Sequence, residues 1–287
     1  MVVRMPPGWA VEEVAHAVQT IGSATPEEYW ERTSRQATVP RVRHIGMENI
    51  WFALRRGLED LSAHRMDIAF LCIVYPLVGL ILSRIVFGYD VLQLLFPLVS
   101  GFALVGPIAA VGLNELSRRH EITPEAHWTD AFGVFRSPAI WKIAAFGLVL
   151  VAVFLAWLAI AEGIYQVTLG PRPPESLSAL MTDVVFTSPG RLLAVLGIGT
   201  GFVLAVAILT VSVVTFPMLL DRDVPLDVAV RTSIRVTLTN PATVATWGVI
   251  ITAALVLGSI PFLLGLVIVM PLLGHATWHL YRAAVVY

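Results

Sequence analysis

The chain has 287 residues, 57% of them hydrophobic and only 14% charged, with a formal net charge of −1 and a mean hydropathy of +0.79. Soluble domains carry roughly 45–50% apolar and about 25% charged residues, so an ordinary globular protein is excluded. The near-zero charge offers nothing to nucleic acid, and the single cysteine, Cys72, has no intrachain disulfide partner and reads as a small buried hydrophobe.

The N-terminus "MVVRMPPGWAVEEV" lacks the basic region and apolar core of a cleavable signal peptide. Residues 1–39 read as a partly flexible cytoplasmic tail with weak helical starts, and residues 40–287 as the membrane domain. In "MENIWFALRRGLEDL", Met47, Ile50, Trp51, Leu54, Leu58 and Leu61 share one face of an amphipathic helix. A spanning helix needs about 20 mostly apolar residues. Six stretches are candidates: about 67–87, 91–113, 139–161, 192–220, 242–257 and 260–281, with "GSIP" (258–261) turning between the last two.

All but three of the 19 Lys and Arg (Arg84, Arg172 and Arg191) fall on one side of these spans. Positive charge marks the cytoplasmic side, which predicts a multi-pass membrane protein with both termini cytoplasmic. All seven histidines lie on that side or at its membrane edge.

The even-numbered spans end alike. Pro107, Pro217 and Pro271 each stand a few residues before a charged end: "VGPIAAVGLNELSRR", "FPMLLDRDV" and "VMPLLGHATWHLYR". Each odd span follows an amphipathic stretch. In "TPEAHWTDAFGVF", Trp128, Ala131, Phe132 and Phe135 share a face after a Thr123-Pro124 helix start. In "PLDVAVRTSIRVTL", Leu226, Val230, Ile234 and Leu238 recur every four residues beside a polar stripe of Asp227, Arg231 and Arg235. Ser137-Pro138 and Asn240-Pro241 then cap and restart a helix. The fold class expected is therefore an all-α polytopic membrane protein: three hairpins, each preceded by a cytoplasmic interfacial helix. Asp221, Arg222 and Asp223 mark a structural corner where a span emerges into that interface.

Several of these stretches resemble a bacterial family of integral membrane proteins catalogued as a domain of unknown function (2189). They are "PRVRHIGMENIWFALRRGLEDL", "FPMLLDRDV", "NPATVATWG" and "MPLLGHATWHLYR". The resemblance runs from about residue 40 to the end and is most specific in its last third. Some members are labelled cytochrome c oxidase subunits. It implies six spans without an established activity, and it carries over no catalytic residues.

Little in the sequence carries chemistry. There is no HExxH, no GxSxG and no Gly-rich phosphate loop. His275 and His279 share a helix face at i,i+4 and are the secondary candidates for a metal, but no adjacent Cys or carboxylate pattern completes a site. The middle of each span lacks Asp, Glu, Lys and Arg, which disfavours ion-coupled transport. Gly197 and Gly201, four apart in "LGIGTGF", read as a face for close helix packing or self-association. No catalytic residue and no cofactor is expected. The expected partners are the bilayer, with anionic lipid at the cytoplasmic face, and a membrane-protein partner or a second copy. The reading is a non-catalytic scaffold or accessory subunit of a membrane complex. A transporter or lipid-handling protein is the alternative, and a redox-linked subunit using His275 and His279 a weaker one.

Overall fold

The computed structural model describes residues 40–63, 84, 91–122, 128–261 and 264–287. The first expected span, 67–87, and the tail, 1–39, therefore lie outside the described residues apart from Arg84. The described residues begin with β1 (Arg41–Val42) and α1 (Met47–Ala63). A 3-10 turn at Leu92–Leu94 leads into α2 (Leu95–Ala109) and α3 (Val111–His120). A 3-10 segment at Trp128–Arg136 precedes α4 (Ile140–Thr168), α5 (Leu177–Phe186) and α6 (Ser188–Ser212). The chain closes with α7 (Thr215–Asp221), α8 (Leu226–Thr239), α9 (Pro241–Ser259), α10 (Leu266–Ala284) and β2 (Val285–Val286).

Among the described residues three helices are long and apolar enough to cross a membrane: Ile140–Thr168, Ser188–Asp221 and Pro241–Ser259. A fourth is reached if the bent pair Leu92–Gly101 and Gly106–His120 counts as one span.

The three outgoing prolines act differently: a bend precedes Pro107, a break precedes Pro217, and α10 runs unbroken through Pro271. A proline inside a helix removes a donor and crowds the carbonyl four residues back. Between Leu92–Gly101 and Gly106–His120 the chain bends by 43°, just ahead of Pro107. Before Pro217, α6 ends at Ser212 and α7 restarts at Thr215. The opened turn is repaired by a neighbour. Ser233 of α8 donates to the carbonyl of Thr210 at 2.8 Å, and its oxygen lies 3.5 Å from the amide of Val214. A hydroxyl thus sits inside the interrupted ladder.

That insertion decides which face of α8 packs. Ala229, Thr232, Ser233 and Val236 are buried, because small and hydroxylated residues let α8 reach the backbone of α6 and α7. The expected apolar stripe is displaced to the outside: Leu238 is 74% exposed, and Leu226, Val230 and Ile234 are only half-buried. The same correction applies to α1, where Ile50, Ala53, Gly57 and Asp60 form the buried line and Met47, Trp51 and Leu58 are exposed. At Gly57 the reason is contact distance. A Cβ there would lie 2.8 Å from the Ala276 amide nitrogen and 3.0 Å from the Leu272 carbonyl oxygen of α10. Thus α1 runs along α10, not free on a lipid surface. In the 3-10 segment Ala131 and Val134 are buried, while Phe132 and Phe135 are exposed and stacked on each other.

The N-terminal arm crosses to the end of the chain. Arg41 and Val42 pair antiparallel with Val286 and Val285, and the Arg43 amide donates to the Ala284 carbonyl at 2.9 Å. Asn240 holds the arm in place. Its Oδ1 accepts from the Ile45 amide at 2.8 Å, and its Nδ2 donates to the carbonyls of Arg43 and Val236 at 3.0 and 3.1 Å. Pro241 does begin α9, but the Asn240 side chain makes no helix-capping bond. The arm, 195 residues away in sequence, takes its polar atoms instead.

Candidate functional site

Three chain segments that follow a proline converge at one end of the bundle: α3, the end of α7 and the second half of α10. Their polar side chains turn inward. Asn114, Glu115, Ser117 and Arg118 are buried on α3, Asp221 on α7, and His275, His279 and Tyr281 on α10. With Asp60 from α1 they form a continuous polar cap beneath apolar helices.

Asp60 is its centre and is 8% exposed. Its Oδ1 lies 3.0 Å from His120 Nδ1, and its Oδ2 lies 2.9 Å from His279 Nε2. The Ser117 hydroxyl donates to the same Oδ2 at 2.7 Å and sits 2.7 Å from His275 Nδ1. Since the serine proton points to the carboxylate, the network assigns a proton to His275 Nδ1 as donor to Ser117. Burial alone pushes the Asp60 carboxyl up. Bonds from His279 and Ser117 and the charges of His275 and His279 outweigh it and bring the group down to about 2.

A second knot lies beside it. Tyr281 donates to Asp221 Oδ2 at 2.6 Å, and Arg222 Nε and Arg282 Nη1 approach that oxygen at 3.4 and 3.7 Å. The Arg222 guanidinium lies 4.5 Å above the Tyr287 ring. Glu121 accepts from Trp278 Nε1 at 2.9 Å and pairs with Arg282 at 3.3 Å. On α3, Arg118 grips Glu115 with two bonds of 2.7 Å, and Arg119 joins Glu115 to Asp130. A fork of this kind between buried partners is among the stronger polar contacts available.

At the corner expected at Asp221–Asp223 the three residues part: Asp221 is buried, Arg222 half-buried and Asp223 exposed. Asp221 is 3% exposed and held by Tyr281, so it does not mark an emergence into solvent. Only Asp223 stays exposed, paired with Lys142 at the start of α4. Arg231 and Arg235 are exposed as expected, with Arg231 3.6 Å from Asp227. Gly201 packs on Trp157, but among the described residues nothing lies within 4 Å of a Cβ at Gly197.

His275 and His279 share a face as their spacing requires, and a carboxylate does meet them. Asp60, Ser117 and His120 escaped the sequence reading because each lies on another helix. One signal was available: Asp60 stands three residues after Gly57, on the helix line that small residues mark as packed. The imidazoles bond to the carboxylate and hydroxyl, and among the described residues no group of three or more His, Cys, Asp or Glu is arranged to hold a metal ion.

Residues 95–221 match the family described as "Predicted integral membrane protein (DUF2189)", the family of the sequence resemblance. The match ends at Asp221 and so does not reach the C-terminal motifs. No curated protein and no solved structure matches the chain.

Proposed function

We propose that this chain, an integral membrane protein whose central stretch belongs to that family, acts without catalysis as a scaffold or accessory subunit within a membrane complex. One observation carries the reading: the long apolar helix pair Ser188–Asp221 buries only 6% of its most apolar window against its own chain. Membrane helices associate through close packing of small faces. Gly199, exposed on the side of the helix away from Gly197 and Gly201, has no described neighbour within 4 Å of a Cβ and leaves a face of that kind unused by the described chain. The polar cap supports the same reading, because most of its buried side chains bond to one another and brace the ends of the helices.

The proposed membrane arrangement has six spans, adding 67–87, 91–113 and the α10 region to the three long helices. Both termini are cytoplasmic by the Arg and Lys distribution. The exposed Arg231 and Arg235 on α8 face anionic headgroups of that leaflet.

The test is extraction in native nanodiscs followed by mass spectrometry of everything that copurifies. A stoichiometric membrane-protein partner, or a second copy lost on Gly199→Ile, is the expected result. Repeated recovery of a monomer alone ends the scaffold reading. A coloured or metal-loaded preparation would favour the redox-linked alternative instead.

A further inference from the structure

A cleft of about 830 Å³ opens on the polar cap, between α1, the end of α3, Arg222 and the segment from the end of α10 through β2. Its volume is within the range of ligand sites, about 300–1,000 Å³. Helical spacing places its walls. Asn49, Phe52, Arg56 and Asp60 recur every three or four residues along one edge of α1, and His279 and Arg282 stand one turn apart on α10. Arg222 enters from the point where α7 ends and the backbone turns extended.

The carboxylates of this cleft are engaged. Asp60 accepts from Ser117, His120 and His279, while Glu121 accepts from Trp278 and pairs with Arg282. Arg222 is different, because its side chain donates no hydrogen bond among the described residues. Its Nε is buried, 3.4 Å from an Asp221 oxygen that Tyr281 already holds. The side chain is 21% exposed, so Nη1 and Nη2 are neither bonded nor sealed off, and the residue lines the cleft. A partly buried cation with unused donors calls for an acceptor.

Aromatic rings hold two of the three lining guanidiniums without taking their hydrogens. Arg222 lies 4.5 Å over Tyr287, and Arg56 lies 5.5 Å over Phe52. Arg56 gives Nη1 to Glu59 at 3.1 Å and keeps its other terminal nitrogen. A stacked guanidinium presents its N–H edge as a fork, the geometry that suits phosphate oxygens. Three such groups, delivered by three chain segments, offer more donors than the two oxygens of a carboxylate accept.

We propose that this cleft binds a phosphate monoester, whose phosphoryl oxygens accept from Arg222, Arg56 and Arg282 and whose organic part lies against Phe52 and Tyr287. A soluble ester and the headgroup of phosphatidic acid share this chemistry. The site stands apart from the scaffold reading, since it needs neither a partner subunit nor the surface at Gly199.

Two arms separate the sources. Glycerol 3-phosphate is titrated calorimetrically into the full chain in phosphatidylcholine nanodiscs. Native mass spectrometry of the chain from nanodiscs mixing phosphatidic acid and phosphatidylcholine reads the lipid. Saturable binding of glycerol 3-phosphate assigns a soluble ester, and retention of phosphatidic acid alone assigns a headgroup. Whichever arm binds weakens about tenfold or more in Arg222→Gln and in Arg222→Lys, which keeps the charge but loses the fork. Arg56→Gln, an exposed side chain whose loss spares the fold, costs about fivefold. Arg231→Gln, exposed on α8 outside the cleft, binds as the wild type does. Melting temperatures without ligand check each fold, and if Arg222→Gln does not fold, Arg56→Gln against Arg231→Gln decides. Absence of binding in both arms, equal binding of glycerate and glycerol 3-phosphate, or an Arg56→Gln protein that binds no worse than Arg231→Gln overturns the proposal.

Discussion

Replacing Asn240 by alanine tests how the two ends of the chain are tied. Its side chain is buried and makes three bonds: one from the Ile45 amide and one each to the carbonyls of Arg43 and Val236. Alanine leaves the Ile45 amide without its acceptor, at a cost of about 1–3 kcal/mol, and forfeits about 1 kcal/mol for a second lost bond. The arm keeps its pairing with Val285 and Val286 and the bond from Thr243 to the Ile45 carbonyl, so the fold survives. A local loss of about 3 kcal/mol accelerates amide exchange at Ile45 on the order of 100-fold. Hydrogen exchange with mass spectrometry in nanodiscs reads this directly. Asn240→Asp keeps the acceptor for Ile45 but not the donors, and falls between wild type and alanine. If Ile45 exchanges at the wild-type rate in a folded Asn240→Ala protein, the proposed tie does not exist.

Three further outcomes follow from the packing. Gly57→Ala pushes α1 off the α10 backbone, since no flexible atom lies in the way to yield; we expect a loss of about 1–3 kcal/mol, seen as a lower melting temperature in detergent. Ser233→Ala removes the hydroxyl that bridges the α6–α7 break and costs about 1–3 kcal/mol, whereas Thr237→Ala, on the same helix and only half-buried, costs less; the comparison is made by thermal unfolding. The Asp60 carboxyl is lowered by folding from 3.8 to about 2, so its contribution is complete above pH about 4 and disappears as the pH falls toward 2. That contribution is about 2 kcal/mol, and Asp60→Asn flattens the melting temperature across this window; an unchanged acid profile in the variant would count against the centre.

The membrane character and the helical class were legible in the sequence. Apolar content and run length are local properties, whereas the three prolines near the span ends were not equivalent: a bend precedes Pro107, a break precedes Pro217, and α10 continues through Pro271. The inward faces were not legible. In a bilayer both lipid and protein neighbours are apolar, so a stripe such as Leu226–Leu238 does not say which of them it meets. The packed lines were marked instead by small and polar residues, Gly57 with Asp60 and Ala229 with Ser233. The identity of each polar partner belonged to the tertiary structure alone. Helical spacing put His275 beside His279, but only the docking of α1 and α3 on α10 brought Asp60 and Ser117 to them, from 219 and 158 residues away. A buried polar atom takes whichever partner the fold delivers, and no period in the chain records that choice.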